Sequence, residues 1–368
     1  MHVSRSFQIL IACGGTGGHL FPGIAVAEAL RARSHSVRLL ISGKEVDAVA
    51  SAKYAHLPFE VLPAVAKPPT LSLRMVPFLW RLWCSWRRSR ALVRSFGADA
   101  VLGMGGFTSL PPVLAGHRLG CRTFVHDSNA RPGRANVMTS RFCTRVLLGM
   151  AEAAQWFPNR RCVVTGTPVR PEITERPPRD EAIARFGLDP AKRTVLVTGG
   201  SQGAQRLNDL CAAAAQRLPH DIQVLHIAGA ADLARMRSAG AGRASHHVLG
   251  FCDHMADAYA AADLVVSRSG ASSLTEIAAC GLPSLLVPFP FAADDHQTLN
   301  AEVFARAGAA RLIQQRDLDA TTLAAMIGEI LHDDALHTRM ASAARALAAP
   351  DAAQRVCEAI EATMNDTA

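Results

Sequence analysis

Gln8-Ile9-Leu10-Ile11-Ala12-Cys13-Gly14-Gly15-Thr16-Gly17-Gly18-His19-Leu20-Phe21-Pro22-Gly23 decides the reading of this 368-residue chain. An apolar run ends in four glycines and a histidine, and a helical pattern follows at Ile24-Ala25-Val26-Ala27-Glu28-Ala29-Leu30. The pattern predicts a strand, a tight turn and a helix N-terminus. Glycines let the backbone take positive φ and approach a ligand closely. A helix start offers unpaired N–H groups and the positive end of the helix dipole, which suits an anionic or strongly polar ligand. A single glycine here would mark an ordinary strand–helix connection. Four glycines with a histidine point to a ligand loop.

Strands and helices alternate outward from this stretch. Ser36-Val37-Arg38-Leu39-Leu40-Ile41-Ser42-Gly43 and Phe59-Glu60-Val61-Leu62 read as strands. Residues 99–107 read as a strand running into the loop Gly103-Met104-Gly105-Gly106-Phe107, and residues 123–129 as a strand ending in His126-Asp127-Ser128-Asn129. This alternation predicts α/β architecture: a parallel sheet with helices on both faces, binding ligands beyond the carboxyl ends of its strands. Prolines cluster at Gly166-Thr167-Pro168-Val169-Arg170-Pro171 and Arg176-Pro177-Pro178-Arg179, which places a domain boundary near residue 168. The pattern then restarts with Arg193-Thr194-Val195-Leu196-Val197-Thr198-Gly199-Gly200-Ser201-Gln202-Gly203-Ala204. Further strands are expected at 223–228, 248–251, 264–267 and 283–289, and a last helix at 351–364. The two glycine loops are expected to face each other across a cleft.

Composition narrows the class. Apolar residues make up 49% of the chain, enough for two ordinary cores and too many for disorder. The net charge of +8 favours anionic partners without choosing among them. Nine scattered cysteines include no Cys-x-x-Cys pair, which fits a reducing compartment better than a disulfide frame or structural zinc. No signal peptide and no membrane span are expected.

Residues 71–94 break the pattern. They hold three of the four tryptophans, Trp80, Trp83 and Trp86, with Phe78, Arg74, Arg81, Arg87, Arg88, Arg90 and Arg94, and no acid. An aromatic, arginine-rich helix suits an anionic membrane surface. A core helix with solvated arginines and a nucleic-acid surface are the other two readings.

Three ligand chemistries compete for the loops. A dinucleotide fingerprint needs Gly-x-Gly-x-x-Gly; Gly15 and Gly17 fit, but Leu20 occupies the third position, and Glu45 is a lone ribose candidate. Asp294-Asp295-His296 and His332-Asp333-Asp334 lack the spacing of a helical zinc site. A nucleotide-sugar site fits best. Ser267-Arg268-Ser269-Gly270-Ala271-Ser272-Ser273-Leu274-Thr275-Glu276 follows a strand and opens a helix, so small residues can cradle a diphosphate and Glu276 can accept from ribose hydroxyls. Asp295-His296-Gln297-Thr298-Leu299-Asn300-Ala301 offers amides to a sugar.

Seven stretches, 14–23, 101–107, 126–129, 166–170, 199–204, 267–276 and 295–301, resemble in their order the MurG family of peripheral-membrane N-acetylglucosaminyltransferases. The resemblance spans essentially the whole chain. It implies the GT-B glycosyltransferase fold, two Rossmann-like domains facing across a cleft. Residues 1–168 would form the acceptor- and membrane-facing domain, with 351–364 packing back on it, and 169–350 the UDP-GlcNAc-binding domain. It implies inverting transfer of N-acetylglucosamine from UDP-GlcNAc to the C4 hydroxyl of undecaprenyl-pyrophosphoryl-MurNAc-pentapeptide (lipid I), giving lipid II and UDP in peptidoglycan synthesis. An enzyme like UDP-GlcNAc 2-epimerase, of the same fold, is the alternative.

Carried over residue by residue, the resemblance makes His19 the candidate general base; the alternative is that His19 only orients the acceptor, with Asp127 or water taking the proton. Thr16, Gly17 and Gly18 would line the cleft near the donor sugar, and Asn129 would bond the GlcNAc. Arg170 and Ser201 would bind the donor phosphate or its surroundings. Cys252 would meet the uracil edge through its backbone. Ala271, Ser272, Ser273, Leu274, Thr275 and Glu276 would hold diphosphate and ribose, and His296 and Gln297 would contact the sugar. Phe78, Trp80, Arg81, Trp83, Trp86, Arg87 and Arg88 would face an anionic membrane, at the cytoplasmic face. No cofactor, metal or nucleic acid is implied; other cell-wall synthesis enzymes are implied neighbours. The chain departs from the family in three places. Asp127 stands where the family often has glutamate, Pro63-Ala64-Val65-Ala66-Lys67-Pro68-Pro69 stands where many members carry Gly-x-Arg-Gly-Lys, and Cys252 replaces a commonly aliphatic residue.

Overall fold

The computed structural model describes residues 5–43, 52–63, 75–200, 204–240 and 243–366. Glu45, Ser201 and most of the 63–69 and 71–74 stretches lie outside these described residues. The chain divides into two units: Met1–Arg170 with Ala349–Ala368, and Pro171–Ala348.

The first unit is built on a seven-stranded sheet ordered β3-β2-β1-β4-β5-β6-β7. Its strands are β1 (Gln8–Ala12), β2 (Ser36–Ser42), β3 (Phe59–Leu62), β4 (Ala100–Gly103), β5 (Arg122–Asp127), β6 (Arg145–Leu148) and β7 (Cys162–Val164). Every pairing is parallel. Side chains of β1 alternate between two cores, as the two-residue period of a strand requires. Ile9 and Ile11 pack with Ile24 and Leu30 of the Gly17–Ala32 helix, and with Val356, Cys357 and Ile360 of the final helix, Ala352–Asn365. Leu10 and Ala12 pack on the other face with Val93 of the Met75–Phe96 helix and Val113 of the Leu110–Arg118 helix. The final helix is also pinned by polar contacts: Arg33 donates to both oxygens of Glu361, at 2.9 and 2.7 Å, and His35 Nε2 lies 2.9 Å from Glu361.

The second unit repeats the plan with six parallel strands ordered β10-β9-β8-β11-β12-β13. These are β8 (Arg193–Thr198), β9 (Ile222–Ile227), β10 (His246–Leu249), β11 (Leu264–Ser267), β12 (Ser284–Leu286) and β13 (Ala310–Leu312). Val195 and Val197 of β8 pack with Leu207, Leu210 and Cys211 on one helix and Leu323, Ile327 and Leu331 on another.

Several elements differ from the pattern read in the residues. β4 stops at Gly103, not 107, because Gly105 and Gly106 turn to φ 121° and 73°. β12 ends before Pro288, which has no N–H for a ladder. β7 and β13 add edge strands of three residues and β6 an interior strand of four, all too short to show a period.

The Met75–Phe96 helix has two faces. Phe78, Ser85, Ser89 and Val93 are buried, and the small serines allow close packing. Phe78 meets Phe107 edge-on at 6.1 Å, so it belongs to the core and not to an outward surface. Trp86 is half-buried against the second core, with its indole N–H enclosed. The outward aromatics are Trp80, 63% exposed, and Trp83, 43% exposed; their rings stack at 5.0 Å. Arg87 lies over the Trp83 ring at 4.9 Å, and Arg81 and Arg88 are exposed.

Candidate active site

In the first unit, the chain leaves β1 for a helix toward β2, while β4 lies on the other side of β1. Strand order reverses at this point, and a parallel sheet opens a crevice there beyond its carboxyl ends. Three loops line that crevice, those after β1, β4 and β5.

The loop after β1 enters the Gly17–Ala32 helix with Thr16 as its extended N-cap. No side chain caps this helix and its first turn holds no acid, so Gly17 and Gly18 present their amides at a positive dipole end. Gly23, not residue 20, provides the close packing of helix on strand: a Cβ there would lie 2.4 Å from that of Cys13. That spacing explains why a dinucleotide fingerprint fails although the architecture is similar.

His19 sits in the first helical turn, half-buried, with Nδ1 3.2 Å from Thr16 Oγ1. Its ring rests on the loop after β4. A Cβ on Gly105 would lie 2.8 Å from both Cδ2 and Nε2 of His19, and one on Gly106 would lie 3.2 Å from Cε1. Both glycines hold positive φ, a region closed to most side chains. Ser109 Oγ accepts from the Gly105 amide at 3.0 Å, and Asn136 Oδ1 accepts from the Gly106 amide at 3.1 Å. Thr108 Oγ1 donates to the Gly14 carbonyl at 2.7 Å, tying the second loop to the first.

Asp127 closes β5 and is 1% exposed. Oδ1 accepts from the Asn129 amide (2.9 Å) and its side-chain nitrogen (3.2 Å). Oδ2 accepts from Gly133 N (3.1 Å) and Asn136 Nδ2 (2.7 Å). Burial raises its pKa, against the pull of these donors. Four donors occupy both oxygens, so this carboxylate organises the turn that carries Asn129 and is not a base facing a substrate. His126 is fully buried, donates from Nε2 to Gly166 O at 3.0 Å, and burial lowers its pKa to about 4, so it is neutral. Arg170, the last residue of the first segment of this unit, is 7% exposed; its guanidinium lies 4.1 Å from the centre of the Phe21 ring.

In the second unit, order reverses between β8 and β11. The loop after β11 opens the Ala271–Cys280 helix through Gly270, again with no side-chain cap and no acid in its first turn. Ala271, Ser272 and Ser273 therefore begin a helix with open amides, while Leu274 N already bonds Gly270 O. Thr275 Oγ1 is turned back to Ala271 O at 2.8 Å. Glu276 accepts from Tyr259 OH at 3.0 Å, which fixes its carboxylate. Arg268, 7% exposed, donates to the Val287 and Pro288 carbonyls and to Gln315, holding the loop after β12. That loop ends at the His296–Arg306 helix. Gln297 accepts from Phe289 N at 2.9 Å, and its carbonyl accepts from Ser269 Oγ at 2.7 Å. His296 Nδ1 donates to Ala293 O at 2.8 Å, which leaves the lone pair of the neutral ring on Nε2. Cys252 is buried, and burial raises its thiol pKa to about 11.

The structure thus gathers Thr16, Gly17, Gly18, His19 and Asn129 around one crevice. It gathers the 271–276 helix start and Gln297 around another, joined through Ser269. The acidic clusters have local partners: His332 pairs with Asp221 at 2.9 Å, and Asp333 caps Leu336 N at 2.9 Å. Among the described residues no group of three or more His, Cys, Asp or Glu side chains is arranged to hold a metal. Ser109, Asn136, Tyr259 and Arg268 complete the sites. Sequence reasoning assigned none of them a role, since their partners lie 4 to 47 residues away.

Two such parallel-sheet α/β units, each with a glycine loop at its switch point, define the GT-B class of glycosyltransferases. The family model for the glycosyltransferase family 28 N-terminal domain matches residues 9–148, and that for the family 28 C-terminal domain matches residues 194–356. A protein of Citrifermentans bemidjiense is 38% identical over 362 residues, covering 96% of this chain and 99% of its own. It is named UDP-N-acetylglucosamine–N-acetylmuramyl-(pentapeptide) pyrophosphoryl-undecaprenol N-acetylglucosamine transferase. A Desulforamulus reducens protein of the same name is 32% identical over 96% of this chain and 98% of its own. The crystal structure of Acinetobacter baumannii MurG is similar with a TM-score of 0.76 at 29% identity, covering 97% of this chain and 99% of that one. The chain belongs to the MurG family of glycosyltransferases. A UDP-GlcNAc 2-epimerase from Neisseria meningitidis shares the fold, with a TM-score of 0.71 over 98% of this chain and 100% of its own, at 12% identity.

Proposed function

We propose that this enzyme transfers N-acetylglucosamine from UDP-GlcNAc to the C4 hydroxyl of undecaprenyl-pyrophosphoryl-MurNAc-pentapeptide, forming lipid II and UDP in peptidoglycan synthesis. The observation that carries the reading is the 38% identity, over almost the full length of both chains, to a transferase named for this reaction. The acceptor oxygen attacks C1 of the sugar as the bond from C1 to the UDP oxygen breaks on the opposite face, so the configuration inverts. His19 takes the hydroxyl proton. A positioned base of this kind contributes about 10²–10⁴-fold. Thr16 orients its ring, and Gly17, Gly18 and Asn129 line the sugar. In the second unit, the amides opening the Ala271–Cys280 helix stabilise the departing diphosphate; Ser201 and, from the first unit, Arg170 are further phosphate contacts. Glu276, held by Tyr259, accepts from the ribose. Cys252 meets the uracil through its backbone, since a buried, protonated thiol is a poor polar partner. His296 and Gln297 bond the sugar.

The lipid-linked acceptor fits the outward face of the Met75–Phe96 helix. Val76, Leu79, Trp80 and Trp83 are exposed beside Arg81, Arg87 and Arg88. No described helix is long and apolar enough to cross a membrane. The aromatic and cationic face of the Met75–Phe96 helix supports reading the enzyme as peripheral, docked on anionic lipid at the cytoplasmic face, near other cell-wall synthesis enzymes. The test follows UDP release from UDP-GlcNAc with and without a lipid I analogue. Acceptor-dependent release is expected. Release without acceptor would instead favour an epimerase-like activity, and no release would overturn the enzyme reading.

A further inference from the structure

We propose that Asn136, braced by Asp127, is a positioning residue for His19, acting through the Gly105–Gly106 platform. The inference rests on the reading of His19 as the base. Asn136 lies on the short Arg134–Thr139 helix, 4% exposed, and its amide is fully engaged. Oδ1 accepts from Gly106 N at 3.1 Å. Nδ2 donates to Asp127 Oδ2 at 2.7 Å and to His126 O at 3.2 Å. Two acceptors on one side and a donor on the other leave a single orientation for the amide.

The two glycines therefore touch both side chains: the imidazole lies 2.8 Å, and Asn136 Nδ2 3.2 Å, from the place of a Gly105 Cβ. Asn136 holds the Gly106 amide and the imidazole rests on the same two glycines, so a movement of Asn136 reaches the imidazole through peptide 105–106. Asp127 fixes Asn136 in turn, and its own remaining three donors come from Asn129 and Gly133. The chain Asp127–Asn136–Gly106–His19 links the ends of β5, β4 and β1. The shorter acid of this sequence thereby has a definite role. Asp127 holds the group that holds the platform, and touches no reacting atom.

Only asparagine serves at this place. Aspartate would set a second carboxylate against Asp127, and alanine would strand the Gly106 amide and leave Asp127 Oδ2 with Gly133 N as its remaining donor, in a buried site. A displacement of about 1 Å at a reacting group costs on the order of 10²-fold in rate.

The experiment is a double-mutant cycle between Asn136→Ala and His19→Ala, with kcat, the KM for UDP-GlcNAc, donor affinity by calorimetry and the kcat–pH profile measured for each. Asn136→Ala is expected to lower kcat by about 10²-fold with donor affinity held within about threefold, and to move the acid limb of the profile that reports the base. In the His19→Ala background it should cost no further rate. Equal losses in both backgrounds, or a wild-type kcat in Asn136→Ala, would overturn the proposal. Should Asn136→Ala fail to bind donor, Asp127→Asn, which keeps the shape and removes acceptor capacity, is read in the same cycle against the same two outcomes. A His19→Ala enzyme with full kcat would defeat the base assignment itself, a separate result.

Discussion

Replacing Gly105 by alanine tests whether the imidazole platform is part of the catalytic apparatus. The new Cβ would fall 2.8 Å from His19 Cδ2 and Nε2 and 3.2 Å from Asn136 Nδ2. Carbon atoms rest at about 3.5–4.0 Å, so the ring must retreat by at least about 0.7 Å. Asn136 is held by three hydrogen bonds, so the displacement falls on His19. Misplacement on this scale costs about 10–10²-fold in kcat, or about 1.4–2.7 kcal/mol of transition-state stabilisation. Alanine at φ 121° also strains the backbone by about 1–3 kcal/mol, a Tm loss of roughly 2–12 °C for a unit of this size. Gly120 separates the two effects. It has φ 82°, nothing within 4 Å of its Cβ position, and lies before β5, at the sheet edge opposite the crevice. Gly120→Ala should lose similar stability and keep its kcat. Acceptor-dependent UDP release and thermal unfolding are measured on both variants. A wild-type kcat in Gly105→Ala would refute the account of how His19 is held.

Other outcomes follow from the same geometry. Hydrogen bonds from Arg33, then from His35, hold the Glu361 carboxyl below its ordinary pKa. Its stabilisation is complete above the unfolded value of 4.5 and fades as pH falls through the folded value; Glu361→Ala should cost about 1.5–3 kcal/mol at pH 7, read by urea unfolding. His226 and His246 stack at 5.4 Å in the second unit, and burial lowers their pKa values to about 3 and about 4. Both are neutral when folded, so stability should be level above pH 6.5 and decline from there toward pH 4; His246→Asn should flatten that decline in unfolding curves taken at pH 7, 5.5 and 4.5. Changing Arg81, Arg87 and Arg88 together to glutamine should weaken binding to vesicles rich in anionic lipid by about 10²-fold, at about 1 kcal/mol per cation, and high salt should shrink the difference. Unchanged sedimentation with such vesicles would remove the membrane role of this helix.

How far the residues alone could carry the reading depends on the range of each interaction. β1 and β8 are legible because central parallel strands are buried on both faces and so appear as unbroken apolar runs, each ended by glycines. β6, β7 and β13 are illegible because three or four residues hold no period, and β7 and β13, at the sheet edges, need only one good neighbour. The faces of the Arg/Trp helix could not be sorted by composition. Phe78 and Trp86 look like Trp80 and Trp83 until the serines at 85 and 89 show which side packs against the core. His19 stands out because glycines surround it within one turn.

What holds His19 does not stand out. Asn136 is 117 positions away along the chain, and meets the loop only because β4 and β5 are neighbours in the sheet. Local chemistry is therefore written in spacing, while support for that chemistry is written in topology. Asp127 shows the consequence. By residue type and position it competes with His19 for the role of base, and only its four donors, drawn from residues 129, 133 and 136, exclude it. A carboxylate that spends both oxygens on its own scaffold cannot also receive a proton from substrate without releasing the turn that carries Asn129. The assignment of the base to His19 thus rests as much on what Asp127 is already bonded to as on where the histidine lies.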